Sequence, residues 1–366
     1  MTQPLDIKPL TSLRFFAAMW VVLYHYWPKL AGAGEMPGVV AKGYLGVELF
    51  FVLSGFILCH VYLPAYEEGR YKYGDFVWAR LARVYPMHIA TLLGIGLMAG
   101  AALALGMAID PNILSLAALP ANLTMTQAWG LSPVAGWNHP SWSISAEWFA
   151  YLTFPAFAFL AVRVKRWPEV AAAGALAFMA VLYLAFDRIA GFPLTLATFA
   201  WGALRIVPTF AMGCALYLVW RSAAADRRKA LAGAAFFGAG IVVAAHFQAP
   251  DVIIVAAASG LIISLAQVSK AGGRFGSHPF LVYLGEISYC VYMLGIPWAL
   301  LFVNVAVKFL HLPSKELPLP LWLVFITTLV PLSAAAHHLI ERPMRQRMKL
   351  WWSQRAAHKL ATASAG

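Results

Sequence analysis

Two ionisable side chains share one face of the first apolar segment. Arg14 and His25 are eleven residues apart, and the residues between them are apolar or aromatic. At about 100° per residue, this spacing completes three helical turns with about 20° to spare, so both side chains lie on one face, about 16 Å apart along the axis. A cation near one membrane boundary and an imidazole deeper on the same face suit an anionic substrate. Alternatively, Arg14 reaches lipid headgroups and His25 caps an interface.

Two acidic residues, Glu48 and Glu147, are expected at the depth of His25. A carboxylate beside an imidazole fixes its tautomer and raises its basicity. We therefore interpret all three as candidate catalytic residues, with His25 as the general base and one glutamate orienting it. The alternative for Glu48 is a buried carboxylate that pairs with an arginine. Nearby Ser54 does not form a nucleophile turn, because Val52 stands where the Gly-x-Ser-x-Gly pattern requires glycine.

A pair of arginines ends the connection before the third apolar segment. Arg80 and Arg83 are three residues apart and share a helix face. Paired guanidinium groups at a membrane boundary suit phosphate groups. The alternative is ordinary positive charge on a cytoplasmic loop.

The composition requires that these residues be carried by membrane helices. The chain has 366 residues, of which 61% are hydrophobic and 11% charged, with a mean hydropathy of +0.72. A soluble domain carries about 25% charged residues. Because apolar stretches of spanning length recur along the chain, we predict an all-α polytopic membrane protein with about ten spans. The predicted spans are 13–29, 44–62, 85–108, 145–162, 170–187, 203–220, 230–247, 251–267, 287–305 and 321–340.

The basic residues predict the orientation. Alternate connections contain 20 lysines and arginines on one side and 5 on the other. This bias places both termini in the cytoplasm. Residues 1–345 are predicted to form one membrane domain, and residues 346–366 a basic, poorly ordered cytoplasmic tail.

Other site classes have little support. The net charge of +12 is spread over loops and the tail, where it meets anionic lipid, so no nucleic acid partner is predicted. His337 and His338 are adjacent and point about 100° apart on a helix, which is not metal-pair spacing. We therefore predict no metal site.

Several motifs together resemble the membrane acyltransferase family 3, bacterial inner-membrane O-acyltransferases of surface glycans. The matching pieces, in family order, are Arg14…His25, the run from Gly46-Val47-Glu48 to Ser54-Gly55-Phe56, Arg80-x-x-Arg83-Val-Tyr-Pro, Trp142-Ser-Ile-Ser-Ala-Glu147, Ile287-Ser288-Tyr289…Tyr292 and Glu341-Arg-Pro343. They extend over nearly the whole chain, and the family has about ten spans.

The resemblance implies a donor, an acceptor and residues that bind each. The donor would be cytoplasmic acyl-CoA, most often acetyl-CoA, as a co-substrate with no permanently bound cofactor. The acceptor would be a hydroxyl of a carbohydrate or glycolipid. The residues expected to bind the donor are Arg14, Arg80, Arg83 and Tyr85, and those expected to bind the acceptor are Trp142, Arg205 and Tyr289.

One departure and one alternative stay open. The Ile-Ser-Tyr-x-x-Tyr run commonly continues to a histidine in the family, and Gly295 stands there in this chain. The competing class is a transporter or flippase, because intramembrane Arg, His and Glu serve proton relays equally well. Inverted repeats would favour that class, and we find no convincing repeat in the sequence.

Overall fold

The described part of the chain is a bundle of α-helices. The structure, a computed structural model, describes residues 6–107 and 109–364, without the side chains of 356–364. Within these ranges it contains fourteen α-helices and no β-strand. The helices are α1 Lys8–Tyr26, α2 Gly38–Ala41, α3 Gly46–Glu67, α4 Tyr73–Ala104, α5 Leu119–Leu123, α6 Trp142–Leu152, α7 Phe154–Val164, α8 Pro168–Ala190, α9 Gly202–Ser222, α10 Arg227–His246, α11 Asp251–Lys270, α12 Pro279–Leu310, α13 Leu319–Ala336 and α14 Arg342–Ser364.

The helices confirm an all-α polytopic membrane protein. Among the described residues, eight helices are long and apolar enough to cross a membrane, and the bent pair α6–α7 makes a ninth. The one predicted span left over, 13–29, corresponds to α1. This helix has 19 residues but is more polar than the others, since it carries Arg14, His25 and two tyrosines. The cytoplasmic placement of both termini stays a prediction.

Close helix packing places α1 at the centre of the bundle. Helix α1 packs against α12 and α3, and α3 packs against α9. Glycines permit these approaches, because a side chain at Gly55 or Gly213 would collide with backbone of the facing helix in the α3–α9 pair. Gly285 of α12 meets the backbone of Thr11 in the same way. Small residues at membrane helix interfaces allow such contact, and Arg14 and His25 thereby lie inside the protein.

A break divides the predicted fourth span into α6 and α7. The two helical parts are bent by 57°. Pro155, in the first turn of α7, has no backbone N–H and so cannot continue the backbone hydrogen bonds of α6. A short 3₁₀ turn, His139–Ser141, leads directly into α6. The break keeps α6 short and directs Trp142 and Glu147 towards the centre of the bundle.

The C-terminal segment continues as a helix past the predicted domain boundary. Helix α14 continues to Ser364, while residues 365–366 lie outside the described residues. The indole N–H of Trp352 donates to Asp75 at 2.8 Å, and its ring stacks on Trp78 with centroids 5.0 Å apart. Packing of aromatic rings, which basic composition does not reveal, orders this segment against α4. The domain boundary near 345 stays a prediction.

Candidate active site in two adjoining cavities

One cavity lies beside the first half of α1 and is lined by three arginines. This arginine cavity has a volume of about 210 Å³ and is lined by α1, α3, α4, α6 and α12. Its charged lining residues are Asp6, Arg14, Arg80, Arg83 and Glu147. Three of the four residues predicted to bind the donor therefore line one cavity. Tyr85, the fourth, does not line it and lies beside His88, with ring centroids 6.3 Å apart.

The three arginines are held differently. Arg83 forms an ion pair with buried Glu341, so its charge is largely neutralised. Arg80 donates to the Tyr62 hydroxyl at 3.3 Å, and its Nε has no hydrogen-bond partner among the described residues. Arg14 has no ion pair within the described ranges, although the charges of Arg83 and Glu341 act on it. Arg14 and Arg80 are therefore the cations with capacity for an anionic ligand.

The second cavity contains the imidazole of His25. This histidine cavity has a volume of about 130 Å³, and its polar lining includes His25, His139, Trp142, Arg205 and Tyr292. The Nδ1 atom of His25 lies 3.0 Å from the Val21 carbonyl oxygen. Because a carbonyl only accepts hydrogen bonds, Nδ1 must carry the proton in the neutral ring. Nε2 is then the basic nitrogen, as a general base requires.

Neither predicted glutamate contacts His25 in the described residues. Arg205 donates to both carboxylate oxygens of Glu48, from Nε at 2.6 Å and from Nη2 at 3.0 Å. Glu147 lines the arginine cavity and accepts a hydrogen bond from Ser54 at 2.6 Å. The prediction that one of them orients the imidazole is therefore wrong. The Val21 carbonyl does so, and Glu48 is the arginine-paired carboxylate of the alternative interpretation.

The residues expected to bind the acceptor separate between the cavities. Trp142 and Arg205 line the histidine cavity, with the guanidinium carbon 4.5 Å from the indole centroid. Tyr289 instead lines the arginine cavity, where its hydroxyl donates to the Val84 carbonyl at 2.6 Å. The three residues therefore do not share one cavity, and their role in acceptor binding stays a prediction.

Several residues in or beside the histidine cavity are not among the predicted site residues. His139 lines the histidine cavity from the turn before α6, and the charge of His25 acts on it. The His-Pro-Ser sequence directly before the Trp142 motif is the signal that could have found it. Asp251, at the start of α11, pairs with Lys42 at 2.7 Å and accepts hydrogen bonds from Tyr44 and Thr195, which line the same cavity. These partners are remote in sequence, so no local pattern links them.

A buried Cys-His-Glu cluster lies behind the arginine cavity. Potential ligand atoms of Cys290, His337 and Glu341 lie within 4.8 Å of one another. The Glu341 carboxylate accepts from Cys290 at 3.2 Å and lies 2.9 Å from His337, and it also pairs with Arg83 and Arg345. Two guanidinium groups disfavour a divalent cation there by direct repulsion. We assign the cluster as a hydrogen-bonded network that holds Arg83.

The fold and the two cavities define an integral membrane protein with a polar site inside its helix bundle. Residues 8–338 match the family described as an acyltransferase domain, and the chain belongs to that family. The resemblance inferred from the motifs is therefore confirmed, and the protein is a membrane acyltransferase.

Curated relatives agree with this assignment. Acyltransferase MdmB of Streptomyces mycarofaciens is 31% identical over 309 residues, which cover 78% of this chain and 77% of that protein. A Bacillus subtilis (strain 168) protein named "Putative peptidoglycan O-acetyltransferase YrhL" is 25% identical over 379 aligned positions, covering 93% of this chain and 55% of that protein. No solved protein structure shows significant similarity to the chain. The names of the relatives support transfer to an oxygen atom.

Proposed function

We propose that the protein transfers an acyl group, most often acetyl, from acyl-CoA to a hydroxyl of a carbohydrate or glycolipid, with His25 as the general base. The observation that carries this proposal is the adjacency of the two cavities. A basic cavity and a histidine cavity share the lining residues Val47 and Tyr292. A donor held by its phosphates on one side can then present its thioester to a base on the other.

The donor side suits a phosphate-bearing thioester. Arg14 and Arg80 form no ion pair among the described residues, although the charge of Glu147 acts on Arg14, whereas Arg83 is paired with Glu341. A guanidinium binds phosphate oxygens through charge-assisted hydrogen bonds. We place the CoA phosphates beside Arg80 and the pantetheine arm along the face of α1 that carries Arg14. By the predicted orientation, this side opens to the cytoplasm, as expected for an enzyme of the bacterial inner membrane.

The acceptor side suits a neutral, hydroxyl-bearing molecule. Its lining guanidinium, Arg205, is paired with Glu48. Behind the lining residues Tyr44 and Thr195, Asp251 is paired with Lys42. Trp142 adds an aromatic wall on which a sugar ring can pack. An uncharged sugar hydroxyl would enter this cavity without leaving a buried charge unpaired, which favours neutral over acidic acceptors.

The reaction follows from these positions. The acceptor hydroxyl attacks the thioester carbonyl carbon while Nε2 of His25 takes its proton. The tetrahedral intermediate collapses, the C–S bond breaks, and the CoA thiolate receives that proton. The products are the acyl ester and CoA, and the neutral imidazole is restored. A thioester is already activated, so the proposal includes no metal.

The test compares two histidine variants in lipid nanodiscs. His25→Gln should lower acyl-CoA-dependent acylation by about 10²–10⁴-fold, because an amide can hydrogen-bond the hydroxyl but cannot accept its proton. Binding of acetyl-CoA should change little. His246→Gln is the matched control, because His246 is an exposed residue at the end of α10 and lines neither cavity.

Three results would contradict the proposal. A wild-type protein that binds acetyl-CoA but transfers no acyl group to any glycoside would remove the assigned reaction. A His25→Gln protein that acylates at near wild-type rate would remove the assigned base. Proton-coupled movement of a substrate across the bilayer without acyl-CoA consumption would instead support a transporter.

A further inference from the structure

Tyr292 occupies the junction of the two cavities. Of the described residues, Tyr292 and Val47 line both, and Tyr292 is the polar one. It lies on α12 and is 8% exposed, with its ring against Phe50 at a centroid distance of 6.1 Å. A thioester that reaches from the arginine cavity towards His25 must pass its hydroxyl.

The hydroxyl of Tyr292 belongs to a small network that also contains Ser143 and the Pro140 carbonyl. Tyr292 donates to the Pro140 carbonyl at 3.2 Å, and Ser143 can donate either to the same carbonyl at 3.1 Å or to the Tyr292 oxygen at 2.8 Å. The bond from Tyr292 to Pro140 is long for an O–H donor. Tyr292 can therefore turn its proton to a ligand, while Ser143 still donates to the tyrosine oxygen and strengthens it as a donor.

Arg205, the guanidinium of the histidine cavity, is already engaged. Arg205 directs its guanidinium to the Glu48 carboxylate and to the Ala197 carbonyl. The indole of Trp142 stacks beneath that guanidinium. The Tyr292 hydroxyl is thus the group at the junction that can donate a hydrogen bond to an oxyanion.

We propose that Tyr292 is a catalytic residue that donates a hydrogen bond to the thioester carbonyl oxygen, with Ser143 as its positioning residue. This rests on the proposed acyl transfer. When the acceptor oxygen attacks, the carbonyl π electrons move to its oxygen, and His25 takes the hydroxyl proton. Tyr292 stabilises the resulting oxyanion without giving up its own proton. The electrons return as the C–S bond breaks, and the thiolate takes the proton from His25.

The test is Tyr292→Phe in the full-length protein in nanodiscs, with acetyl-CoA and a neutral glycoside acceptor. Loss of one oxyanion donor should lower kcat by about 10²–10³-fold. The KM for acetyl-CoA and the melting temperature should stay near wild type, since the ring and its packing remain. Ser143→Ala should cause a smaller loss of kcat, because Tyr292 keeps its proton. Tyr217→Phe is the matched control, because Tyr217 is buried on α9 and lines neither cavity.

Two outcomes would overturn this role while leaving the proposed function standing. One is a Tyr292→Phe protein whose kcat lies within about threefold of wild type. The other is a loss that appears only in the KM for acetyl-CoA, which would make Tyr292 a donor-binding residue. Failure of the proposed function looks different, because the wild-type protein itself would then transfer no acyl group.

Discussion

Removal of either partner of the Glu48–Arg205 ion pair should destabilise the protein strongly. Glu48 is fully buried and Arg205 is 2% exposed, and two hydrogen bonds of 2.6 and 3.0 Å join them. A buried charge left without its partner costs about 3–5 kcal/mol. Glu48→Met and Arg205→Met should each lower the free energy of unfolding by about that amount.

The double variant separates the pair from its surroundings. With both charges replaced by methionine, no buried charge is left unpaired, so the total loss should be well below the sum of the single losses. Arg205→Met should be the costlier single change, because the Ala197 carbonyl also loses its donor. Tryptophan fluorescence during denaturant titration in mixed micelles measures all three free energies.

An exposed ion pair supplies the control for this cycle. Lys229 lies 3.9 Å from Asp226, and its side chain is 88% exposed. Lys229→Met should change the free energy of unfolding by less than about 1 kcal/mol. Single losses at Glu48 and Arg205 as small as this, or a double variant with strictly additive losses, would refute the assignment of a coupled buried pair.

Three further changes test other parts of the structure. Arg80→Ala should weaken acetyl-CoA binding by about 1.5–3 kcal/mol, measured by titration at constant salt, because a charge-assisted contact is lost. Asp251→Asn should free its lysine partner and move acceptor preference towards acidic sugars, measured as relative acylation of a neutral glycoside and its uronic acid counterpart. Trp78→Ala should release α14, measured as faster backbone hydrogen exchange over residues 342–355. Ser353→Cys and Asn112→Cys should label from opposite faces of the membrane, against a background of three buried native cysteines.

Helical periodicity was sufficient to predict the central pair of residues. Arg14 and His25 lie on one helix, so their relation depends only on residues per turn. The structure places both on α1, Arg14 in the arginine cavity and His25 in the histidine cavity. The membrane spans can also be predicted from the sequence, because a bilayer requires long apolar helices whichever helices pack beside them.

Contacts between helices that are remote in sequence cannot be predicted from helical periodicity. Glu341 stands in the sequence only as part of the Glu-Arg-Pro motif, yet it pairs with Arg83, 258 residues away. Likewise, sequence gave no reason to prefer Arg205 over His25 as the partner of Glu48. Which residues meet depends on how each helix is rotated and on which helix it packs against. Glycines such as Gly55 and Gly213 permit a close approach, but the sequence does not say which helix approaches them.

The junction formed by Val47 and Tyr292 bears on permeability. A bilayer enzyme with substrates on opposite faces must avoid a leak of ions and protons. Under the proposed function, the donor and the acceptor bind on opposite sides of these two side chains, and only the acyl group is passed between them. Such vectorial chemistry requires both substrates to be bound at once. Steady-state kinetics should therefore be sequential, with intersecting double-reciprocal lines.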